Sequence, residues 1–293
     1  MLATLSEIVI STRPWSFTAG IIPVVITAAI AGVPLTNVKV LSTVVMAVSI
    51  QAGANLTNTY FDFANGVDTK ENGEKTLVER KLSPGFLFAT SVVCYIIGIA
   101  IVFPMLIAHA NSQLITVFSC GIVLAFFYTA TPVGLKYHAL GDVTIFLCFG
   151  PLLMQCTSLM ISGEMRSDLF YYTIPIGLLT EAILHANNSR DIETDLRAGA
   201  TTVAGLIGFE ASRQVYNALI IGTYLSTIAI SAQYHFGCLL ALLTLPLGTG
   251  LMSKFYKKEM MGLEEETAKL HLPFGILMII GILSTSKGFL AFV

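Results

Sequence analysis

The chain has 293 residues, of which 55% are hydrophobic and 12% are charged, and its net charge is −2. Soluble domains carry about 25% charged residues, so this composition and a mean hydropathy of +0.78 exclude a soluble globular protein and indicate an integral membrane protein. No basic excess supports nucleic-acid binding. We therefore expect membrane lipid around the chain and no nucleic-acid partner.

Apolar runs divide the chain into predicted membrane spans. A bilayer core about 30 Å thick needs about 20 helical residues. Nine runs of that size start near Pro14, Val38, Pro84, Gln113, Asp142, Leu169, Arg213, Phe236 and Leu272. The sequence predicts an all-α polytopic membrane protein of nine transmembrane helices, without a removable signal peptide. No long linker divides the runs, so we expect residues 1–293 to form one domain.

The basic residues are distributed unequally between the two predicted membrane sides. With nine spans, thirteen of the 16 Lys and Arg lie on the side of the N-terminus, and Lys39, Arg166 and Lys287 lie on the other. Because Lys and Arg favour the cytoplasmic side, we expect the N-terminus and the charged loops in the cytosol. One of these loops, the stretch GLEEETAK (262–269), is interpreted as a solvated turn before the last span.

A polar stripe runs along the second predicted span, which ends in NTYFDFANGVD (58–68). Gln51, Asn55, Asn58 and Asp62 are spaced four, three and four, which places them on one helix face. Charged and amide side chains are unfavourable on the lipid-facing surface of a helix. The stripe therefore predicts a polar site at this helix end, with Asp68 close to it.

The sixth predicted span repeats this pattern in TEAILHANNSRDIETD (180–195). Its polar residues recur at helical spacing and end in a pair of aspartates, as in the first stripe. They are Glu181, His185, Asn187, Asn188, Asp191 and Asp195. Ionisable groups inside spans mark functional sites and face the bundle interior, although polar residues also join membrane helices by hydrogen bonds. Two matched stripes favour one shared site.

The side chains of the two stripes indicate what that site binds. Carboxylate and amide oxygens suit Mg²⁺ or Ca²⁺ better than zinc. The predicted loops bring basic residues to the same side, namely Lys70, Lys75, Arg80, Lys136, Arg190 and Arg197. Basic residues would weaken a bare metal site, but they fit metal ions that bridge to a diphosphate. The pattern therefore predicts Mg²⁺ and an isoprenyl diphosphate whose tail lies among the helices.

Aromatic residues near the predicted site suit the chemistry of such a substrate. Loss of pyrophosphate leaves an allylic cation, which aromatic faces stabilise, while metal and basic groups stabilise the leaving group. The aromatic residues near the site are Tyr60, Phe61, Phe63, Phe126, Phe127 and Tyr128. Each of them also suits ordinary packing between helices.

At this point the chain resembles a known family. NTYFDFANGVD and NNSRDIETD resemble the two aspartate-rich motifs of the UbiA-type intramembrane prenyltransferases, and the interval from Asp62 to Asp68 resembles the menaquinone branch. The resemblance extends from TRPWSFTAG (12–20) to the last span. It implies nine helices around a central cavity, with a cytosolic polar cap formed by the loops after the second, fourth and sixth helices.

The resemblance also implies roles for individual residues. Asn58, Asp62 and Asp68 match the first motif and Asn187, Asn188, Asp191 and Asp195 match the second, which implies that these residues hold Mg²⁺, expected as two ions. Tyr128 and Lys136 match diphosphate-binding residues, and Asp142 matches the LGD of this branch. Further diphosphate contacts are expected from Arg13, Lys75, Arg80 and Arg190, and an acceptor and prenyl pocket from Asn55, Tyr60, Phe61, Phe127 and Asp142.

The implied reaction transfers a geranylgeranyl group from its diphosphate to a reduced naphthoquinone, menadiol, and gives menaquinone-4, a form of vitamin K2. The aspartates Asp62, Asp68, Asp191 and Asp195 would act catalytically through the metal. Glu181 or His185 would orient the acceptor hydroxyl or remove the ring proton. The resemblance implies an endoplasmic reticulum or Golgi membrane.

Other functions remain open at this stage. The acceptor can instead be 1,4-dihydroxy-2-naphthoate or 4-hydroxybenzoate. A transporter also places polar groups inside a bundle, but it predicts charges that reach both membrane sides. A non-catalytic lipid sensor that binds a sterol-pathway membrane enzyme is a third alternative, which an intact set of carboxylates disfavours.

Overall fold

The computed structural model describes residues 2–68, 75–109 and 111–286. Over these ranges the fold is helical, with no strand beyond an isolated bridge between His138 and Thr201. The prediction of an all-α fold is confirmed. Lys70 and Lys287, which belong to the predicted charge pattern, lie outside the described residues.

Thirteen α-helices make up most of the described chain. In chain order they are α1 (Leu2–Ser11), α2 (Thr18–Ile30), α3 (Val38–Ala64), α4 (Lys75–Val78), α5 (Pro84–His109), α6 (Ser112–Phe127), α7 (Gly141–Leu147), α8 (Leu153–Ser162), α9 (Leu169–Arg190), α10 (Ile192–Arg197), α11 (Val203–Gln233), α12 (Leu245–Tyr256) and α13 (Leu263–Ser286). Short 3₁₀ segments cover Pro14–Ser16, Leu135–Tyr137 and Phe236–Thr244, and a π-helical segment, Cys148–Leu152, joins α7 to α8.

Seven helical segments among the described residues are long and apolar enough to cross a membrane. An eighth span results if the bent pair Leu5–Ser11 and Pro14–Ile30, with a 40° angle, is counted as one. The fourth predicted span corresponds to Ser112–Phe127, which has only 16 residues. The number nine therefore stays a prediction, while an integral membrane protein with several apolar helices is confirmed.

Local sequence signals explain several helix ends. The side chain of Asn37 accepts a hydrogen bond from the Lys39 amide at 2.8 Å and caps the start of α3, and Asn111 caps α6 in the same way. An Asn at this position satisfies amides that have no partner within the helix. Gly163 ends α8 with φ of 81°, a conformation that glycine adopts without steric penalty.

Two predicted helix starts differ from the structure. Helix α13 begins at Leu263, not near Leu272, so the segment predicted as a charged loop (262–269) is mostly the first turns of this helix. Helix α11 begins at Val203, ten residues before the predicted start at Arg213, and its backbone is broken at Gly208, where φ is 77°. In α13 the charged first turns extend beyond the apolar part that hydropathy marks, and in α11 the break at Gly208 separates the first residues from the long helical run.

The helices pack around an interior cavity and leave apolar faces exposed. Helix α3 packs against α5, α9 against α11, and α13 against α2 and α9. On the outer face of α5, Val93, Ile96 and Phe103 are each more than half exposed. Exposed large apolar side chains at this density fit contact with lipid rather than with water.

Candidate functional site

A polar chamber lies at one end of the bundle, where the ends of α3, α9 and α13 meet the segments around α1, α4 and α10. Its lining contains ten of the residues predicted for metal or diphosphate binding: Arg13, Asn58, Asp62, Asp68, Lys75, Lys136, Asn187, Arg190, Asp191 and Asp195. The two sequence motifs, separated by more than a hundred residues, therefore line the same space. Glu7, Lys81, Glu264 and Glu265 also line it.

Asp62 is the centre of a buried hydrogen-bond network. Lys136 Nζ donates to Asp62 Oδ2 at 2.7 Å, and Tyr137 Oη donates to Asp62 Oδ1 at 2.8 Å. Asn58 donates its amide N–H to Asp62 Oδ2 at 2.8 Å and accepts from Arg13 at 3.1 Å. The amide orientation follows because Asp62 only accepts and Arg13 only donates. Both Asp62 oxygens thus have donors, and the network ties the first motif to Arg13 and to the segment between α6 and α7.

The electrostatics of this network follow from burial and from the carboxylates. Burial lowers the pKa of Lys136, but the neighbouring Asp62 and Asp195 outweigh this effect and the pKa is raised overall. Burial raises the pKa of Tyr137, and the Asp62 carboxylate raises it further. Lys136 is therefore a fixed cation and Tyr137 a fixed donor at neutral pH.

The second motif supplies the opposite wall of the chamber. Arg190 donates to both oxygens of Asp191, from Nε at 2.8 Å and from Nη2 at 2.6 Å, and it also pairs with Glu264. Asp195 lies one turn further along, is 2% exposed, and its Oδ2 has no hydrogen-bond partner. Burial raises the pKa of Asp195 to about 7, and the nearby Asp191 and Asp62 carboxylates act in the same direction against Lys136.

The donor set of the chamber fits Mg²⁺. Carboxylate and amide oxygens converge from both motifs, and the buried, unpartnered oxygen of Asp195 is a group that a cation would satisfy. Mg²⁺ prefers oxygen ligands and is held in proteins by a few carboxylates together with substrate phosphates. The basic residues of the chamber, Arg13, Lys75, Lys81, Lys136 and Arg190, suit those phosphates.

An apolar cavity extends from the chamber into the bundle. It is lined by aliphatic and aromatic side chains of α3, α6, the α7–α8 segment and α9, among them Met46, Ile50, Phe118, Ile122 and Leu153. Asn55, predicted for the acceptor and prenyl pocket, lines this cavity. Tyr128, predicted as a diphosphate contact, also lines it and is not part of the described lining of the polar chamber. A prenyl chain, which is wholly apolar, fits such a lining.

Six residues line both spaces, and we call them the neck: Arg13, Trp15, Asn58, Lys136, Asn187 and Glu264. The neck is where a molecule with a charged head and an apolar tail changes environment. Trp15, the single tryptophan of the chain, brings an aromatic ring to this position.

Several predicted residues lie elsewhere. Tyr60 and Phe61 pack with Phe88 in an aromatic cluster, and Phe127 packs on Phe126. None of the three is part of the lining of either space as described here. The same holds for Arg80 and for Asn188, which is buried. The three aromatic side chains pack against other rings instead of lining either space.

Glu181, His185 and Asp142 form a second buried cluster. Their ligand atoms lie within 4.8 Å of one another, and His185 Nδ1 lies 3.2 Å from Asp142 Oδ2. His185 Nε2 donates to the Ser212 carbonyl at 3.0 Å, because a carbonyl only accepts. Helix α9 lines the apolar cavity with Thr180, Ile183, Leu184 and Asn187. Glu181 and His185 do not belong to the described lining, and neither does Asp142, which was predicted for the acceptor and prenyl pocket.

Tyr137, Trp15 and Glu264 are site residues that the sequence analysis did not identify. Tyr137 directly follows the predicted Lys136, and Trp15 lies within TRPWSFTAG, so both were adjacent to recognised segments. Glu264 was hidden in the segment predicted as a solvated loop. Extending the helical pattern of α13 backwards from His271 through Thr267 reaches Glu264 on the same buried face.

Comparison with known proteins gives the family and close sequence relatives. The profile of the UbiA prenyltransferase family matches residues 20–272. UbiA prenyltransferase domain-containing protein 1 of Homo sapiens is 35% identical over 290 residues, covering 96% of this chain and 84% of that protein. The protein of the same name from Dictyostelium discoideum is 33% identical over 294 residues, covering 96% and 88%.

Solved structures share the fold. A UbiA homologue from Archaeoglobus fulgidus bound to DMAPP and Mg²⁺ has a TM-score of 0.63 at 12% identity and covers 93% of this chain and 99% of its own. The apo structure of a UbiA homologue from Aeropyrum pernix K1 has a TM-score of 0.68 at 15% identity, covering 92% and 98%. At these identities the likeness establishes a common fold.

Proposed function

The chain belongs to the UbiA prenyltransferase family, and from this membership we propose that it transfers a geranylgeranyl group from its diphosphate to menadiol, giving menaquinone-4. As a member it is an aromatic prenyltransferase. The observation that carries the proposal is the junction of a polar chamber, lined by both aspartate motifs, with an apolar cavity. We further propose that residues 1–293 act as one domain.

In this proposal the diphosphate lies in the polar chamber. The chamber residues that would hold Mg²⁺, expected as two ions, are Asn58, Asp62, Asp68, Asn187, Asp191 and Asp195. When bound, Mg²⁺ neutralises the diphosphate and stabilises it as a leaving group. The structural homologue from Archaeoglobus fulgidus is bound to DMAPP and Mg²⁺, which supports a prenyl diphosphate and Mg²⁺ as ligands of this fold.

Basic residues of the chamber stabilise the departing pyrophosphate. Lys136 forms an ion pair with Asp62, and Arg190 forms one with Asp191. The two basic side chains are therefore positioned before the substrate binds. Preorganised charges of this kind stabilise a developing anion more than mobile solvent does. As the bond to the diphosphate breaks, the allylic carbon carries positive charge, which the ring faces of Trp15 at the neck and Tyr128 in the cavity stabilise.

The identity of the aromatic acceptor is the more specific part of the proposal. The relatives named above are 33–35% identical, and we infer from this resemblance a quinol acceptor in an endoplasmic reticulum or Golgi membrane, with the polar chamber facing the cytosol. The alternatives are 1,4-dihydroxy-2-naphthoate and 4-hydroxybenzoate. A carboxylate on the acceptor would need a basic partner at the neck. The basic residues of the neck, Arg13 and Lys136, are the ones proposed for the diphosphate, so such an acceptor would compete with it.

A product assay tests the proposed reaction. Purified protein in lipid nanodiscs is mixed with geranylgeranyl diphosphate, Mg²⁺ and each of the three acceptors, and the products are identified by mass spectrometry. We expect menaquinone-4 from menadiol and little product from the two carboxylated acceptors. Product from 4-hydroxybenzoate or from 1,4-dihydroxy-2-naphthoate alone would overturn the assignment of the acceptor, and no product from any of them would overturn aromatic prenylation.

A further inference from the structure

The geometry of the two spaces determines where the new carbon–carbon bond forms, provided that the proposed function holds. The diphosphate lies in the polar chamber and the prenyl chain in the apolar cavity, so the carbon that joins them lies at the neck. The aromatic ring must reach that carbon. Any protein group that accepts a proton from the ring system must therefore also lie at the neck.

Glu264 is the carboxylate at this position. Of the three charged residues in the described lining of the apolar cavity, Arg13 and Lys136 are basic and Glu264 is acidic. Glu264 is 7% exposed, and while one oxygen pairs with Arg190, its Oε2 is buried without a hydrogen-bond partner. A buried, unpartnered carboxylate oxygen costs free energy unless a donor satisfies it. The hydroxyl of a phenol or quinol is such a donor.

The first turns of α13 hold Glu264 in place. Thr267 Oγ1 and the buried Tyr216 Oη share a hydrogen bond of 2.8 Å. Together with the contact between Glu264 and Arg190, this bond ties the start of α13 to α9 and α11. A positioned carboxylate is what proton transfer requires, because efficiency depends on geometry before it depends on basicity.

Other carboxylates near the site lack either the position at the neck or the unpartnered oxygen. Asp195 has an unpartnered oxygen but lines only the polar chamber. Asp62 accepts from Lys136 and Tyr137 on its two oxygens, and Asp191 accepts on both oxygens from Arg190. Glu181 and His185 contribute nothing to the described lining of the apolar cavity. Glu264 combines a place at the neck with an unpartnered oxygen.

We propose that Glu264 is the catalytic base of the transfer. Its Oε2 accepts a hydrogen bond from the acceptor hydroxyl next to the attacked ring carbon. As the bond from the allylic carbon to the diphosphate breaks and the carbon–carbon bond forms, the hydroxyl proton passes to Glu264 and the ring becomes a dienone. The ring proton at the attacked carbon then leaves to solvent, and Glu264 returns its proton to the oxygen, which restores the aromatic ring. One proton is released with each pyrophosphate.

A single substitution separates this role from a purely structural one. Glu264→Gln keeps the size of the side chain and an oxygen toward Arg190 but removes the base. We expect the single-turnover rate of transfer from geranylgeranyl diphosphate to menadiol to fall by about 100-fold or more. The Mg²⁺-dependent affinity for geranylgeranyl diphosphate should stay close to that of the wild type. Glu266→Gln, in the same helical turn but in the pair with Lys254, is the matched control and should leave both quantities nearly unchanged.

Two further observations keep the test decisive. If Glu264→Gln does not purify as a folded protein, Glu264→Asp, which keeps the carboxylate, should fold and retain transfer below the wild-type rate with a similar pH profile. Parallel loss of diphosphate affinity and transfer in either variant would mean that Glu264 only positions Arg190. Unchanged transfer in Glu264→Gln would exclude a catalytic role. Failure of the proposed function is distinct, because wild-type protein would then form no aromatic product.

Discussion

Lys136 and Asp62 form the most deeply buried ion pair of the site, with side chains 7% and 3% exposed. Removing one partner of a buried pair leaves an uncompensated charge, which costs roughly 3–5 kcal/mol. Tyr137 and Asn58 still donate to Asp62 and limit this loss. The pair therefore both stabilises the fold and places a cation beside the first motif.

We predict that Lys136→Met lowers the melting temperature in detergent and that Mg²⁺ restores part of the loss, because a cation can replace the missing ammonium near Asp62. Lys254→Met is the control. Its pair with Glu266 is about 40% exposed on both sides, and exposed pairs contribute about 1 kcal/mol or less. Thermal unfolding with and without Mg²⁺ measures both variants. Equal small shifts in the two would contradict the account of Asp62.

We predict that Asp195 makes the affinity of the site for Mg²⁺ depend on pH. Burial, with Asp191 and Asp62 nearby, raises its pKa to about 7, so without a metal the carboxyl is protonated below this pH and ionised above it. Mg²⁺ needs the ionised form, so its affinity should fall as pH decreases below 7, by about tenfold per unit for one competing proton, and level off above pH 7. Calorimetric titration of Mg²⁺ at pH 6, 7 and 8 measures this. The same pH dependence in Asp195→Asn would rule out Asp195 as its source.

At the scale of helices, Gly281 of α13 and Gly237 bring α13 into backbone contact with the 3₁₀ segment before α12. A Cβ added to Gly281 would lie 2.2 Å from the Gly237 carbonyl oxygen and 2.7 Å from the Cys238 amide nitrogen. Both are backbone atoms, so no side-chain rotation can relieve the contact. Small residues allow membrane helices to approach this closely, and the approach holds the C-terminal half of α13 against this segment.

We predict that Gly281→Ala destabilises the protein by about 2–3 kcal/mol, because the backbones must separate. Gly250→Ala in α12 is the control, since a Cβ there meets nothing within 4 Å, and replacing a helical glycine by alanine is expected to be neutral or slightly stabilising. Thermal unfolding of the two variants in detergent compares them. A Gly281→Ala protein as stable as Gly250→Ala would show that the two segments do not approach so closely.

At this scale the sequence could predict contacts that follow from the spacing of residues within one helix. The stripes on α3 and α9 have helical period, so the convergence of Asn58, Asp62, Asp191 and Asp195 on one chamber could be expected before the structure. The pair of Asp62 with Lys136 joins residues 74 positions apart, and no local pattern fixes such a contact. The start of α13 was missed because three glutamates lower the hydropathy of a segment that is nevertheless helical and partly buried.

At the scale of the whole molecule, one end of the bundle is charged and most of its outer surface is apolar. Arg13, Lys75, Lys81, Lys136 and Arg190 all line the polar chamber, so the predicted clustering of basic residues on one side has a structural counterpart. We infer that this end faces the cytosol, because Lys and Arg favour the cytoplasmic side of a membrane. Composition and hydropathy predicted the fold class. They did not fix the number of spans, because bent and short helices do not meet the length expected of a membrane-spanning helix.

The measurement that tests the central claim most directly is the Mg²⁺ dependence of prenyl transfer in the wild type and in two variants of the second motif. Wild-type protein, Asp191→Asn and Asp195→Asn are placed in nanodiscs with geranylgeranyl diphosphate and menadiol, and menaquinone-4 is quantified by mass spectrometry over a range of Mg²⁺ concentrations. We predict product only with Mg²⁺ in the wild type, and a loss of about 100-fold or more in each variant, since each removes a carboxylate that holds charge at the leaving group. Product formed equally well without Mg²⁺, or by both variants at the wild-type rate, would contradict the account.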